Sequence, residues 1–406
     1  KRAEALKIQY LNGSINKKYI KNEKAVLLNK SHYLAEVELF YDLLIGTSSL
    51  NSDIYSVKKK LYLKKMGDSW AVYNMQPGYE YEESTENGDK INLTWHYIWQ
   101  NTPDMSKAGK KEGLNIISPT WFTLVNEHGD VKDKASLAYT NWAHKNGYKV
   151  WALVDNEFDP AQTSKVLNNP QARAKLITGI IENAKKYKVD GINIDFENMY
   201  IRDKDAFTQF MKELSVKTKQ NKLILSVDVS VIVLNSNWSG CYDRAALSKV
   251  VDYVALMAYD QYWEGSPVSG SVAQLSWVEE NLKKVLKEVP NDKLLLGVPF
   301  YTRLWKEEYR NGSSKPVVTS KAISMAEGER IVAENKGVKI WDAASGQYYA
   351  TYKKDNTTYK IWLEDERSIA LKSQLVTKYN LAGIASWKYG LEKPVIWKTI
   401  ANVINN

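Results

Sequence analysis

Between residues 190 and 197 the chain reads Asp190-Gly191-Ile192-Asn193-Ile194-Asp195-Phe196-Glu197. In an extended strand alternate side chains share a face, so Asn193, Asp195 and Glu197 point one way while Ile192, Ile194 and Phe196 point the other. The apolar set suits packing beneath helices. The polar set would face the interior of a barrel, where a purely structural strand carries bulky branched residues; at the C-terminal end of such a strand, polar residues read as catalytic. Asp195 and Glu197 are two residues apart, which puts their Cα atoms about 6.5–7 Å apart along one edge of any bound ligand. Enzymes that cleave glycosides with two carboxyls set them on opposite sides of the scissile bond. A glycoside cut here would need a different attacking group, and Asp155, Asp228 and Asp260 near other strand ends leave a protein nucleophile open.

Positioning such a strand end requires a barrel, and the sequence supplies its parts. Eight β-rich apolar runs are expected as strands: Ile91–Trp99, Leu114–Phe122, Tyr148–Val154, Val189–Phe196, Leu223–Val229, Val251–Ala258, Lys293–Phe300 and Leu381–Trp387. Between them apolar residues recur at helical spacing, as in Leu176, Ile177, Ile180, Ile181 and Ala184, and again in Phe207, Phe210, Met211 and Leu214. Trp277, Val278, Leu282, Val285 and Leu286 form a third such face, expected to stop at Pro290. The alternation predicts an α/β (β/α)8 TIM barrel over residues 89–406. The stretch between the last two runs is too long for one helix. It holds two tyrosine-rich segments around Asp355-Asn356, read as a β-hairpin within a small α+β insertion at about 306–366. Residues 1–88 lack the βα rhythm but contain alternating runs such as Lys60-Leu61-Tyr62-Leu63, and are read as a small β-rich accessory domain.

Composition narrows the classes. Of the 406 residues 44% are hydrophobic and 25% charged, values of an ordinary globular protein, and no apolar run approaches the roughly 18 residues of a membrane span. One cysteine, Cys241, precludes an internal disulfide, and four histidines without ligand spacing argue against a metal site, so no cofactor is expected. The formal net charge of +9 favours an anionic polymer as partner. Nucleic acid is disfavoured because no basic cluster accompanies a recognisable binding motif. The 14 tryptophans and 26 tyrosines supply flat faces suited to sugar rings as well as to packing. The start, Lys1-Arg2-Ala3-Glu4, has no apolar signal core, which fits either a cytosolic chain or one whose export segment has been removed.

The 190–197 segment resembles the fourth-strand signature of glycoside hydrolase family 18, Asp-Gly-x-Asp-x-Asp-x-Glu, with Asn193 in place of the middle Asp. Met257-Ala258-Tyr259-Asp260 is similar to the family's sixth-strand Met-x-Tyr-Asp, and Gly297–Arg303 to its seventh-strand motif, with Thr302 for the usual Gly. Trp387 matches the tryptophan that floors the subsite of the sugar being cleaved. The resemblance, covering about residues 90–406, implies that Glu197 is the proton donor and that the substrate's own 2-acetamido oxygen attacks. It further implies that Asp195 orients the acetamide and Tyr259 hydrogen-bonds the attacking oxygen. Asp190, Asn193, Asp260, Arg303, Trp387 and Trp121 are expected to bind or support.

The chitinases' third-strand Ser-x-Gly-Gly is absent, replaced by Ala152-Leu153-Val154-Asp155-Asn156, and Asn193 alters the proton-sharing chain behind Asp195. With Ser226-Val227-Asp228-Val229, these departures resemble the branch of spore-cortex and cell-wall N-acetylglucosaminidases. The expected partner is an N-acetylglucosamine-containing wall polysaccharide, cut by a monomeric, extracellular, wall- or spore-associated enzyme. A chitinase, and a sugar-binding barrel that has lost catalysis, are the alternatives.

Overall fold

The computed structural model describes residues 20–31, 33–45, 53–75, 79–80, 90–233, 236–309 and 315–405. The basic start at Lys1-Arg2 and the stretch 81–89 lie outside the described residues. The chain divides into two units, Lys1–Gly88 and Asp89–Asn406.

The first unit is an antiparallel sheet in which Ile20–Lys30, Leu34–Ile45, Asp53–Met66 and Ser69–Met75 lie in chain order. Its alternation is that of a sheet with one covered face. Leu61 and Leu63 are buried with Ala35 and Val37, and Leu39 and Trp70 pack against them.

The second unit is a closed parallel barrel of Ile91–His96, Ile116–Leu124, Lys149–Asp155, Gly191–Asp195, Ile224–Ser230, Tyr253–Met257, Leu294–Pro299 and Gly383–Trp387. Closure comes from the first strand, which pairs with the eighth on one side and the second on the other. All eight expected runs become strands. Alternation sorts their side chains into two apolar layers. Leu93, Trp95, Ile116, Trp151, Leu153, Ala255, Leu295 and Ala385 fill the interior. Ile192, Ile194 and Phe196 face outward into the layer beneath the helices, where the Phe196 ring stacks on Phe207 and Phe210 at 6.0 and 5.6 Å.

The helix Pro170–Tyr187 shows how local sequence sets the crossovers. Asn169 caps it by accepting from the Gln171 and Ala172 amides, Pro170 opens it, and Lys188 ends it in the left-handed conformation. Leu176, Ile177, Ile180, Ile181 and Ala184 form its buried stripe. Phe207, Phe210, Met211 and Leu214 do the same in Lys204–Gln220. The third predicted helix, Leu275–Val285, stops before Pro290; the chain turns through 286–289, and Trp277 is only partly buried.

The insertion begins earlier than 306. Its first strand, Tyr301–Glu308, follows the seventh barrel strand after a single residue, so Arg303 sits on the insertion. Its five strands run in the spatial order Val317–Ser324, Tyr301–Glu308, Thr357–Leu363, Gln347–Lys354, Val338–Asp342, with helix Met325–Glu334 packed on one face. Asp355 and Asn356, at φ 48° and 58°, make the hairpin turn between two of them. Where the insertion returns to the barrel, Glu364 is wholly buried and accepts from Lys372 Nζ at 2.9 and 3.0 Å, Gln347 Nε2 at 2.8 Å and Ser368 Oγ at 2.7 Å. Removing one member of a buried ion pair strands the other. Lys372→Met is therefore expected to cost about 3–5 kcal/mol in denaturant unfolding, and a loss under about 1 kcal/mol would contradict this role.

Candidate active site

The fourth strand ends at Asp195, and Glu197 lies two residues beyond it at the barrel mouth. Three contacts fix this short extension. The Asn156 side chain grips the Glu197 backbone from both sides, accepting its N–H at 3.0 Å and donating to its carbonyl at 2.9 Å. The Tyr242 hydroxyl donates to the Phe196 carbonyl at 2.8 Å. Asn198, in the left-handed region at φ 51°, turns the chain away and donates to the Phe158 carbonyl at 2.9 Å. Glu197 is thereby held by backbone contacts that leave its carboxyl free. Gly191 at the other end of the strand is required by space: a Cβ there would lie 2.7 Å from the Trp151 ring and 2.9 Å from the Ile224 carbonyl.

Inside the barrel, Asn193 joins four strands. Its amide oxygen accepts from Trp95 Nε1 at 2.8 Å and Ser118 Oγ at 3.1 Å, while its Nδ2 donates to Asp228 Oδ1 at 2.8 Å. These partners fix the amide's orientation. A carboxylate at 193 would meet Asp228 at hydrogen-bond distance, so Asn193 and Asp228 together place a single carboxyl behind Asp195.

Burial dominates the electrostatics of the mouth. It raises Glu197 well above the usual carboxyl value, and the charges of Asp195 and Asp260 add to the effect. Asp195 is pushed up to about 7 by burial and by Asp155, its cross-strand partner. Burial also raises Asp228, with Asp195 next in effect. Asp155 and Asp260 are raised by burial against opposing hydrogen bonds. Asp155 accepts from Thr123 Oγ1 and the Glu157 amide at 3.1 Å each, and Asp260 from the Tyr301 hydroxyl. Asp195 differs: its Oδ1 is buried and meets no donor. Burial raises Tyr259 far above its ordinary value, so its hydroxyl remains a donor, and its ring lies edge-on to Tyr301 at 6.4 Å. Such a mouth offers a carboxyl held well above its ordinary value, an unengaged carboxyl oxygen and a phenol.

The structure thus brings together Glu197, Asp195, Tyr259, Asn193 and Asp260. Arg303 is nearby, its charge acting on Asp260 and its Nη1 donating to Ser320 at 3.0 Å. Trp387 ends the eighth strand half-buried at the mouth, 6.2 Å from Trp95 and 6.4 Å from Tyr97 between ring centroids. Two expected residues are elsewhere. Asp190 lies at the opposite end of the fourth strand, where it accepts from the Val150 amide at 2.8 Å and Lys149 Nζ at 3.1 Å and pairs with His144 at 2.7 Å. It anchors the strand. Trp121 points outward into the helix layer, edge-on to Tyr139 at 5.2 Å, its Nε1 donating to Thr102 at 2.8 Å. Alternation from Ser118 and Thr120 already places it there, and a register shift after Thr120 carries Phe122 outward too. Asn156, Tyr242, Tyr301 and Trp95 were not singled out, since each acts through a contact remote in sequence.

Residues 120–392 match the family described as Glycosyl hydrolases family 18, and the chain belongs to that family. It is a glycoside hydrolase. It is 29% identical over 299 residues to the uncharacterized glycosylase YvbX of Bacillus subtilis, covering 71% of this chain and 84% of that protein. To the cortical fragment-lytic enzyme of Bacillus subtilis it is 27% identical over 245 residues, covering 59% of this chain and 56% of that one. The spore cortex-lytic enzyme SleL of Bacillus megaterium shares its fold, with a TM-score of 0.68 at 22% identity over 82% of this chain and 77% of that one. So does the C-terminal domain of a putative chitinase from Desulfitobacterium hafniense, with a TM-score of 0.69 at 24% identity over 78% of this chain and 99% of that one.

The raised Asp195 carboxyl has a consequence for stability. The folded chain keeps a proton on it from the unfolded value of 3.8 up to about 7, so Asp195 subtracts stability as pH rises through that window. Asp195→Asn removes this loss. In thermal or denaturant unfolding the variant is expected to exceed the parent by on the order of 4 kcal/mol at pH 8, with the margin shrinking towards pH 4. A margin that is flat with pH or grows on acidification would contradict the assigned burial.

Proposed function

We propose that the chain hydrolyses β-1,4 bonds of an N-acetylglucosamine-containing wall glycan, peptidoglycan or spore cortex, by a retaining, substrate-assisted mechanism. The observation that carries this reading is that Glu197, its carboxyl held well above the usual value by burial, lies beside Asp195, whose buried Oδ1 is unengaged. Glu197 delivers its proton to the glycosidic oxygen as the bond to the anomeric carbon breaks. Asp195 accepts the acetamide N–H, which aims the acetamide oxygen at that carbon, and Tyr259 donates to the same oxygen. The acetamide thus serves as the nucleophile, and the bicyclic intermediate it forms is opened by water that Glu197, now ionised, deprotonates. The other carboxyls are engaged: Asp155 through both oxygens, Asp228 with Asn193 and Asp260 with Tyr301. That engagement favours the acetamide over a protein nucleophile.

Three things support wall glycan over chitin. Relatives include proteins named cortical fragment-lytic enzymes. Asn156 fills the third-strand end where chitinases carry Ser-x-Gly-Gly, and its side chain is spent on gripping Glu197. The +9 charge draws the protein to an anionic wall. The same relatives support a place at the wall or spore.

Glu197→Gln should fold and melt at or above the parent's temperature near neutral pH, yet lose on the order of a hundred- to ten-thousand-fold in turnover. A thiazoline mimic of the bicyclic intermediate should inhibit the parent strongly. Near-normal turnover of the variant, or a covalent glycosyl-protein adduct trapped in the parent, overturns the mechanism. For the substrate, mass analysis of new reducing ends is expected to show cleavage on the N-acetylglucosamine side of muropeptide glycan. Wall binding should weaken with salt, because exposed charges are screened over about 10 Å at 0.1 M. Efficient cleavage of chitin oligomers alone favours a chitinase, and no cleavage of either favours a sugar-binding barrel.

A further inference from the structure

Lys388 directly follows Trp387, and we propose that it forms, with the Tyr97 ring, a subsite for a carboxylate carried by the glycan beside the sugar held on Trp387. The proposal rests on the wall-glycan reading above and specifies what in that glycan is recognised.

The Lys388 ammonium lies 4.4 Å from the centre of the Tyr97 ring. That ring packs between Trp387 at 6.4 Å and Trp99 at 6.2 Å, so the cation stands in an aromatic corner at the barrel mouth. Trp99 is 73% exposed, which leaves the corner open to solvent and ligand. Other half-buried cations of this unit have carboxylate or carbonyl partners: Arg173 pairs with Glu213, Lys360 with Glu307, and Lys393 with Glu329 and Glu366, while Lys293 donates to the Ser248 and Val251 carbonyls and Arg244 to the Ser230 carbonyl. Lys134 donates to the carbonyl of Ile98, the residue after Tyr97, at 2.9 Å and is attracted by Asp155 and Glu157. Among the described residues, Lys388 has the ring alone. Burial lowers its pKa with no carboxylate of the described residues offsetting it, and neighbouring His96 is lowered to about 4 by burial and then by the Lys388 charge, so that imidazole is neutral and does not compete for an anion.

A desolvated cation with no counter-charge gains when a ligand supplies one, and charge-assisted hydrogen bonds are roughly twice as strong as neutral ones. Wall glycan differs from chitin in the lactyl ether on alternate sugars, which ends either in a free carboxylate or in a peptide that itself carries carboxylates. Chitin has neither. A cation beside Trp387 therefore discriminates between the two polymers without touching the reacting atoms.

The test compares kcat/KM on matched fragments with the lactyl acid free, converted to its neutral amide, or joined to a stem peptide, with chitin oligomers as the neutral reference. The parent should prefer the acid to the amide by about tenfold, the scale of one charged hydrogen bond. Lys388→Met should bring that ratio close to one, and Lys388→Arg should keep most of it. A Lys388-dependent preference confined to the free acid identifies the lactyl carboxylate, and one confined to the peptide-bearing fragment identifies the peptide. An acid-to-amide ratio equal in parent and Lys388→Met, with no Lys388-dependent preference for the peptide form, overturns the subsite and leaves the wall reading standing. A parent that cuts chitin oligomers and leaves every muramyl fragment intact overturns both.

Discussion

Burying a carboxylate costs several kcal/mol unless it is protonated, paired or hydrogen-bonded, and this barrel draws five carboxyls to one mouth. Asp155, Asp195, Glu197, Asp228 and Asp260 are all raised by burial. Their mutual repulsion is relieved in two ways. Asp155, Asp228 and Asp260 take hydrogen bonds from the chain that offset part of the cost of burial, although all three stay above their ordinary values. Asp195 and Glu197 take none through their side chains, so nothing opposes the rise that burial and neighbouring carboxyls impose on them. A carboxyl that holds its proton near neutral pH is what general-acid cleavage of a glycoside requires. The same crowding that opposes folding therefore supplies the chemistry.

Such an arrangement survives only if the surrounding structure is over-determined, and the supports are distributed around the barrel. Outside, Phe196 is clamped by two phenylalanines of the following helix; inside, Asn193 is held from the first, second and fifth strands; at the tip, Asn156 and Tyr242 hold the backbone on either side of the 196–197 peptide. The exchange of the family's middle aspartate for Asn193 is intelligible here. Asp228 on the next strand supplies the carboxyl, and an amide between it and Trp95 satisfies donors and acceptors alike without adding a sixth carboxyl.

Period-two alternation in 190–197 was enough to read both the active face and its outward counterpart, because a strand's geometry is local. The eight strands were legible for the same reason, as were the helical stripes at 176–184 and 207–214. Chain order already puts Asp190 at the start of the 189–196 run, away from its C-terminal end, so its assignment to the site follows the family signature rather than the strand pattern, and the structure shows it anchoring the far end. Trp121 was misjudged on residue type, though the alternation of Ser118 and Thr120 opposes it. The Asn156 grip on Glu197 spans 41 residues and the Asn193–Asp228 contact 35, and no spacing rule anticipates pairings that only barrel closure creates.

The central claim is that Glu197 carries a proton at near-neutral pH because the barrel buries it among other carboxyls. Isotope-edited infrared titration, with labelled glutamate carboxyls in the parent and in Glu197→Gln, measures this directly. The account predicts a protonated glutamate carbonyl band at neutral pH in the parent that is missing from the difference variant. Loss of that Glu197-dependent band by about pH 5, close to the ordinary glutamate value, would contradict it.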